Sequence, residues 1–183
     1  MIETSDIAEP VLPAATVVLL RDGTDGLEAL LVQRHQAVKH MGGMWVFPGG
    51  KVDPADRPEG GDDYGAAVNA AIRETQEEAG LNVSADQLVY LSHWTTPEGA
   101  KKRFATWFFL TILTDEQEVV VDGGEIAHHR WVRPHIALQE SAAADHPLRL
   151  MPPTFVSLWD IAGCTSCTEA RQHIGGRGPI EYA

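Results

Sequence analysis

A chain of 183 residues has room for one domain with a substantial core and too little for two of ordinary size, so any site must be assembled within a single fold. Hydrophobic residues at 44% and charged residues at 22% are ordinary globular values and exclude disordered, collagenous and coiled-coil classes. Lys plus Arg number 14 against 26 for Asp plus Glu, and the net charge of −12 argues against nucleic acid or an anionic membrane as partner. A polyphosphate substrate would need a local cation.

Residues 1–13 read as a polar leader ending at Pro13, ahead of one domain over 14–183. Ala14–Leu20 is apolar and rich in β-branched residues, Asp22–Gly26 is turn-forming and Leu27–Gln33 is a second apolar run, which together predict a hairpin. A Gly/Met/Trp segment (His40–Gly50) and a loop of Asp, Pro and Gly (Lys51–Gly65) lead into a helix over Ala66–Ala79, stopped by Gly80. Strands are predicted at Gln87–His93, Phe104–Leu113 and His128–Val132, the last two separated by an acidic stretch. Pro134 suits the first turn of a helix to Ser141, Thr154 can cap Phe155–Ile161, and Thr165 or Ser166 can cap a last helix ending at Gly175 and Gly176. Interleaved strands and helices predict an α/β class. The apolar runs are shorter than the ~20 residues of a membrane helix, and the acidic N-terminus lacks the cationic start of a signal peptide, so a cytoplasmic location is expected. Cys164 and Cys167 form a lone CxxC with only His173 nearby as a further ligand, and are expected to be reduced thiols on a helical segment.

The predicted helix carries the chemistry. At about 100° per residue, Val68, Ala71, Ile72, Thr75 and Ala79 gather on one face suited to a sheet, while Glu74, Glu77 and Glu78 converge elsewhere at i,i+3 and i,i+4 spacings. At roughly 5.5 Å and an effective dielectric of about 20, each like-charged pair costs on the order of 3 kcal/mol. The helix dipole also disfavours anions in this C-terminal half. Arg73, four residues before Glu77, cannot neutralise three carboxylates alone, and hard oxygen donors suit Mg²⁺ or Mn²⁺. Ala67 and Ala70 lie one turn earlier and are expected to leave room for a ligand.

Upstream, Phe47-Pro48-Gly49-Gly50 closes an apolar run, and its glycines allow main chain to approach a ligand. Phe47–Gly50 followed by Arg73-Glu-Thr-Gln-Glu-Glu-Ala-Gly-Leu81 resembles the Nudix hydrolase box: Gly, five residues, Glu, seven residues, Arg-Glu, aliphatic, any residue, Glu-Glu, any residue, Gly, aliphatic. The resemblance implies an α/β/α sandwich around a mixed β-sheet and hydrolysis of diphosphates linked to another moiety. It further implies that Glu74, Glu77 and Glu78 ligate the metal with the Gly49 carbonyl, and that Arg73 holds the glutamates. The reaction expected is metal-assisted attack of water on phosphorus, with Glu74, Glu77 or Glu125 as the base.

The sequence departs from the box in two places. The interval from Gly50 to Arg73 is longer than the box allows and lacks its glutamate, for which Asp56 is the first substitute with Asp53, Asp62 and Asp63 behind it, and Thr75 fills the aliphatic slot. A longer loop here resembles the branch that includes coenzyme A diphosphatases, as do His40–Trp45, Thr96-Pro97, Arg103–Phe109 and Met151–Thr154.

Among other residues, Gly123–Pro134 resembles the family's acidic loop running into a strand, and Glu125 there is a candidate further metal ligand or base, or else a cap or the partner of an arginine. His128 and His129 are adjacent, so on a strand they point to opposite faces and are read as structural. Arg34 and Arg103 are the expected phosphate contacts, chosen over Lys101 and Lys102, while Trp45 and Trp94 are candidates to stack on an adenine. The expected activity is a Mg²⁺- or Mn²⁺-dependent diphosphohydrolase acting on a small-molecule nucleoside diphosphate derivative. Coenzyme A-like substrates are favoured over ADP-ribose, dinucleotides or nucleoside triphosphates. A Nudix-fold sensor without catalysis is the alternative from another class, disfavoured by the intact Glu77-Glu78 pair. Family relatives are often dimers, which leaves a homodimer open.

Overall fold

The computed structural model describes residues 10–183. β1 (Val11–Gly23) and β2 (Gly26–Arg34) form the expected antiparallel hairpin, closed by a turn that needs Gly26 at φ 116°. β1 starts earlier than the reading that ended the leader at Pro13. Val11 lies opposite Arg103 in a parallel ladder, and the Pro13 carbonyl accepts from the Val52 amide at 2.9 Å, so proline sits inside the strand. The rest of that leader, residues 1–9, lies outside the described residues.

The Gly/Met/Trp segment contains two short strands that its composition did not announce, β3 (Trp45–Val46) and β4 (Gly49–Lys51). α1 (Asp63–Ala79) begins three residues before the predicted start because Asp62 accepts the Gly65 amide at 2.7 Å and caps it, while Gly80 at φ 68° ends it. There follow β5 (Val89–Thr95), β6 (Arg103–Ile112), β7 (Ile126–Val132), α2 (Pro134–Ser141), α3 (Pro152–Ile161), α4 (Cys167–Arg177) and β8 (Ile180–Tyr182). α3 opens at Pro152 with Met151 at its N-cap, so Thr154 is a buried residue of the first turn rather than the cap. Ser166 caps α4, which runs through Gly175 and Gly176 to Arg177 because burial of Ile174 and Ala170 outweighs the poor helix propensity of glycine.

The strands make one mixed sheet in the order β3-β2-β1-β6-β5-β8, with β4 paired to β1 and β7 to β2; β1–β6 and β5–β8 are parallel. Side-chain alternation along β1 divides the core. Ala15, Val17 and Leu19 face α1 together with Leu30, Val32 and Phe109, while Val18 and Leu20 face α2–α4 with Leu31, Phe108, Leu158 and Ile174. The architecture is the α/β/α sandwich expected. Among the described residues no helix is long and apolar enough to cross a membrane.

The sheet-facing stripe of α1 differs from the predicted one. Ala71, Thr75 and Ala79 are buried as expected, but Ala67 and Ala70 are also fully buried against the sheet, and Val68 and Ile72 lie at its margin. The small side chains make room for β1 and β6 rather than for a ligand. They let the helix lie close to the strands, which draws Glu78 inward.

Candidate active site

α1 and β4 meet where the carboxylates gather. The Gly49 amide donates to Glu78 Oε2 at 2.9 Å, which ties β4 to the innermost carboxylate of the helix. A Cβ on Gly50 would land on the Glu74 carboxyl, which shows how closely β4 crosses the helix. Side-chain exposure falls from 54% at Glu77 to 15% at Glu74 and 6% at Glu78, so the patch runs from solvent into the protein.

Arg73 organises the outer part. Its Nη1 donates to Glu74 Oε1 at 2.9 Å and to Glu77 Oε2 at 3.1 Å. Its Nε and Nη2 grip buried Asp56 at 3.0 and 2.8 Å, and Nη2 also donates to the Lys51 carbonyl at 3.0 Å. Asp56 is thus the buried carboxylate that anchors Arg73. Asn69 Nδ2 donates to the Asp56 carbonyl at 2.8 Å, a support that no motif signalled.

Arg34, at the end of β2, reaches the inner part. Its guanidinium stands 4.0 Å from Glu78 Oε1 and 3.7 Å from Glu125 Oε2. Glu125 is exposed and is placed by its turn, in which Asp122 accepts the amides of Glu125 and Ile126 at 3.0 and 2.9 Å. Asp122 escaped the sequence reading because an acidic residue in an acidic loop carries no pattern.

The electrostatics follow from burial. Burial pushes the Glu78 carboxyl up to about 8, with Glu74 and Glu125 adding to the rise and the Gly49 amide and Arg34 opposing it. Glu74 is also raised, by burial first and then by Glu77 and Glu125, against the pull of Arg73. Hydrogen bonds from Arg73 hold Asp56 below the usual carboxylate range. A buried carboxylate that one amide and a distant guanidinium do not stabilise as an anion is the observation that fits a cation. Oxygen donors from Glu74, Glu77 and Glu78 are the chemistry that Mg²⁺ and Mn²⁺ take. In this side-chain arrangement Arg73 holds Glu74 and Glu77, and no three His, Cys, Asp or Glu side chains among the described residues close into a ligand cluster.

The other predicted residues are placed apart from the carboxylates. Arg103, at the start of β6, donates from Nε to the Thr96 carbonyl at 3.1 Å. Trp45 packs on the α2–α4 side of the sheet, and Trp94 is stacked on Tyr182 at 3.9 Å between ring centroids, so β8 covers one face of the ring proposed for adenine. Cys164 precedes α4 and only Cys167 is helical; both are free, and burial pushes both thiols up, Cys167 to about 12. His173 pairs with Asp160 at 3.0 Å.

Comparison with known proteins gives the same reading. A Mycobacterium tuberculosis protein described as "Putative 8-oxo-dGTP diphosphatase 3" is 31% identical over 170 residues, covering 88% of this chain and 69% of the relative. The crystal structure of a NUDIX hydrolase from Alicyclobacillus acidocaldarius superposes with a TM-score of 0.76 at 24% identity, over 87% of this chain and 95% of that one. A Caenorhabditis elegans Ap4A hydrolase complex gives 0.53 at 29% identity, over 74% and 89%. The model of the NUDIX domain matches residues 11–151. That match begins where β1 begins and ends at the entrance to α3, so it takes in the whole carboxylate patch, and the chain belongs to the Nudix family of hydrolases.

Proposed function

We propose that the protein is a Mg²⁺- or Mn²⁺-dependent pyrophosphohydrolase of nucleotide derivatives, its site formed by α1, β4, the end of β2 and the Asp122–Glu125 turn. The observation that carries this reading is buried Glu78, which shares a patch with Glu74 and Glu77 and abuts the Gly49-Gly50 strand. Nudix hydrolases generally use divalent metal ions, and Glu74, Glu77 and Glu78 are the residues that would hold one here. When bound, such an ion supplies Lewis acidity toward phosphoryl oxygens and lowers the pKa of water.

The chain's own groups do the remainder. Arg73, backed by Asp56, fixes the rotamers of Glu74 and Glu77, and Arg34 orients Glu78 and Glu125. Exposed at the rim, Glu125 is one of three carboxylates, with Glu74 and Glu77, that would take a proton from the attacking water. Arg34 is the phosphate contact nearest the carboxylates, with Arg103 as a further candidate at the start of β6.

The names of the relatives bear on the substrate. 8-oxo-dGTP and Ap4A put nucleoside triphosphates and dinucleotides ahead of the coenzyme A-like substrate that the loop resemblance implied, for which the comparisons give no support. A catalytically silent sensor is disfavoured by the intact Glu77-Glu78 pair. The decisive assay measures phosphate-bond cleavage with and without Mg²⁺ across 8-oxo-dGTP, dNTPs, diadenosine polyphosphates, ADP-ribose and coenzyme A. The parent and a Glu77→Gln variant are compared, and turnover that is metal-independent or unchanged in the variant rejects the proposal.

A further inference from the structure

The loop between β2 and β3 carries His40, a residue that the carboxylate chemistry leaves unused. The loop is closed at its base, where the Gly43 amide donates to the Arg34 carbonyl at 2.9 Å and the Arg34 amide to the Met44 carbonyl at 3.0 Å. Inside it Met41 is held at φ 58°, a left-handed conformation that a side chain of this size rarely adopts, and such strain persists only where surrounding contacts fix it. The effect is to carry the His40 ring across to β6, where it lies 5.8 Å from the Phe104 ring, tilted by 44°.

Phe104 is fixed in turn. Its amide donates to Thr96 Oγ1 at 3.0 Å and its carbonyl accepts from the Thr96 amide at 2.8 Å. His40 remains solvent-exposed and Phe104 half-buried, so the pair is an open aromatic surface rather than part of the core. One residue joins it to the acidic patch: Arg34 donates from Nε to the His40 carbonyl at 3.2 Å while its terminal nitrogens face Glu78 and Glu125. Partial burial, then the charges of Arg34, Lys102 and Lys51, lower the pKa of His40 and favour the neutral ring. In a chain of net charge −12, a guanidinium bonded to this loop beside an open aromatic surface matches the two ends of a nucleotide.

We propose that His40 and Phe104 form the seat of the substrate's nucleobase, linked through Arg34 to the carboxylates that act on its phosphates. The proposal deepens the hydrolase reading and rests on it. It predicts that affinity for the base and affinity for the phosphates are separable.

The test is calorimetric titration, in Mg²⁺, of the full chain with α,β-methylene ATP and α,β-methylene GTP, and with methylenediphosphonate as a probe that has no base. The parent should bind both nucleotides at least about tenfold more tightly than the diphosphonate. His40→Ala and Phe104→Leu should each lose about tenfold for the nucleotides and nothing for the diphosphonate, while His40→Phe should keep nucleotide affinity. His40 lies on an exposed loop, so its variants stand as the test even if Phe104→Leu folds poorly. Unchanged nucleotide affinity in His40→Ala, an equal loss for the diphosphonate, or no preference of the parent for nucleotides overturns the seat. If the seat behaves as expected and no substrate in the cleavage panel turns over, the hydrolase reading fails and the seat stands.

Discussion

Arg73 grips Asp56 with one edge of its guanidinium, Nε to Oδ1 at 3.0 Å and Nη2 to Oδ2 at 2.8 Å, while the third nitrogen holds Glu74 and Glu77. The buried carboxylate sets the arginine, and the arginine sets the glutamates. Asp56→Asn removes the charge that anchors this chain of contacts and should lower stability by about 2 kcal/mol at neutral pH, below the full cost of breaking a buried pair because Arg73 is partly exposed. The pKa of Asp56 is depressed in the fold, so its contribution is present above the ordinary carboxylate range and is lost as pH falls through the folded value. Urea unfolding of parent and variant should therefore converge in acid. At saturating Mg²⁺ the variant's kcat should fall more than tenfold while the fold is retained.

The carboxylate patch was legible in the sequence because a helix converts i,i+3 and i,i+4 spacing directly into neighbours, and the Gly-Gly turn because only glycine permits so close a crossing. Asp56 was legible only through the box it fails to match. Burial was less legible. Ala67, Ala70 and Glu78 face the sheet because alanine lets α1 approach β1, a fact of packing that periodicity alone assigned to the wrong stripe. The role of the His40 loop depends on a contact to β6, distant in sequence, and β3, β4 and β8 are too short to carry a period of their own.

Gly49 and Gly50 should respond differently to alanine. A Cβ on Gly49 would strike the Ala15 carbonyl and the Thr16 backbone, which cannot yield without disturbing the β1–β4 pairing. A Cβ on Gly50 would strike the Glu74 carboxyl, the end of a flexible side chain. Gly49→Ala should lower the melting temperature by several degrees, whereas Gly50→Ala should leave it nearly unchanged and reduce kcat by displacing Glu74. Thermal denaturation beside steady-state kinetics distinguishes the two, and equal thermal losses would remove Glu74 as the reason for Gly50.

Thr75 occupies the aliphatic slot of the box and is fully buried, its Oγ1 without a hydrogen-bond partner. A stranded hydroxyl costs on the order of 1–3 kcal/mol, and valine keeps the shape and the branched Cβ. Thr75→Val should raise the urea midpoint, with a gain of about 1 kcal/mol and no change in the m-value. A loss of stability would mean that the hydroxyl has a partner.

Glu78 links stability to pH and metal. Its folded pKa, about 8, lies above the ordinary 4.5, so between these values the folded chain holds a proton that the unfolded chain has released. By linkage, stability without metal must fall as pH rises through this window, the opposite of the behaviour of Asp56. A bound divalent cation takes the ionised carboxylate and should reverse the slope. Melting curves in EDTA from pH 5 to 8 should show the parent losing several degrees, with Glu78→Gln losing less, the remainder belonging to Glu74, and more stable than the parent at pH 8. Added Mg²⁺ should restore the parent at pH 8 and leave the variant where it was. Parallel curves for the two proteins in EDTA would mean that Glu78 is already stabilised as an anion by Arg34 and the Gly49 amide, leaving no electrostatic need for the metal at this position.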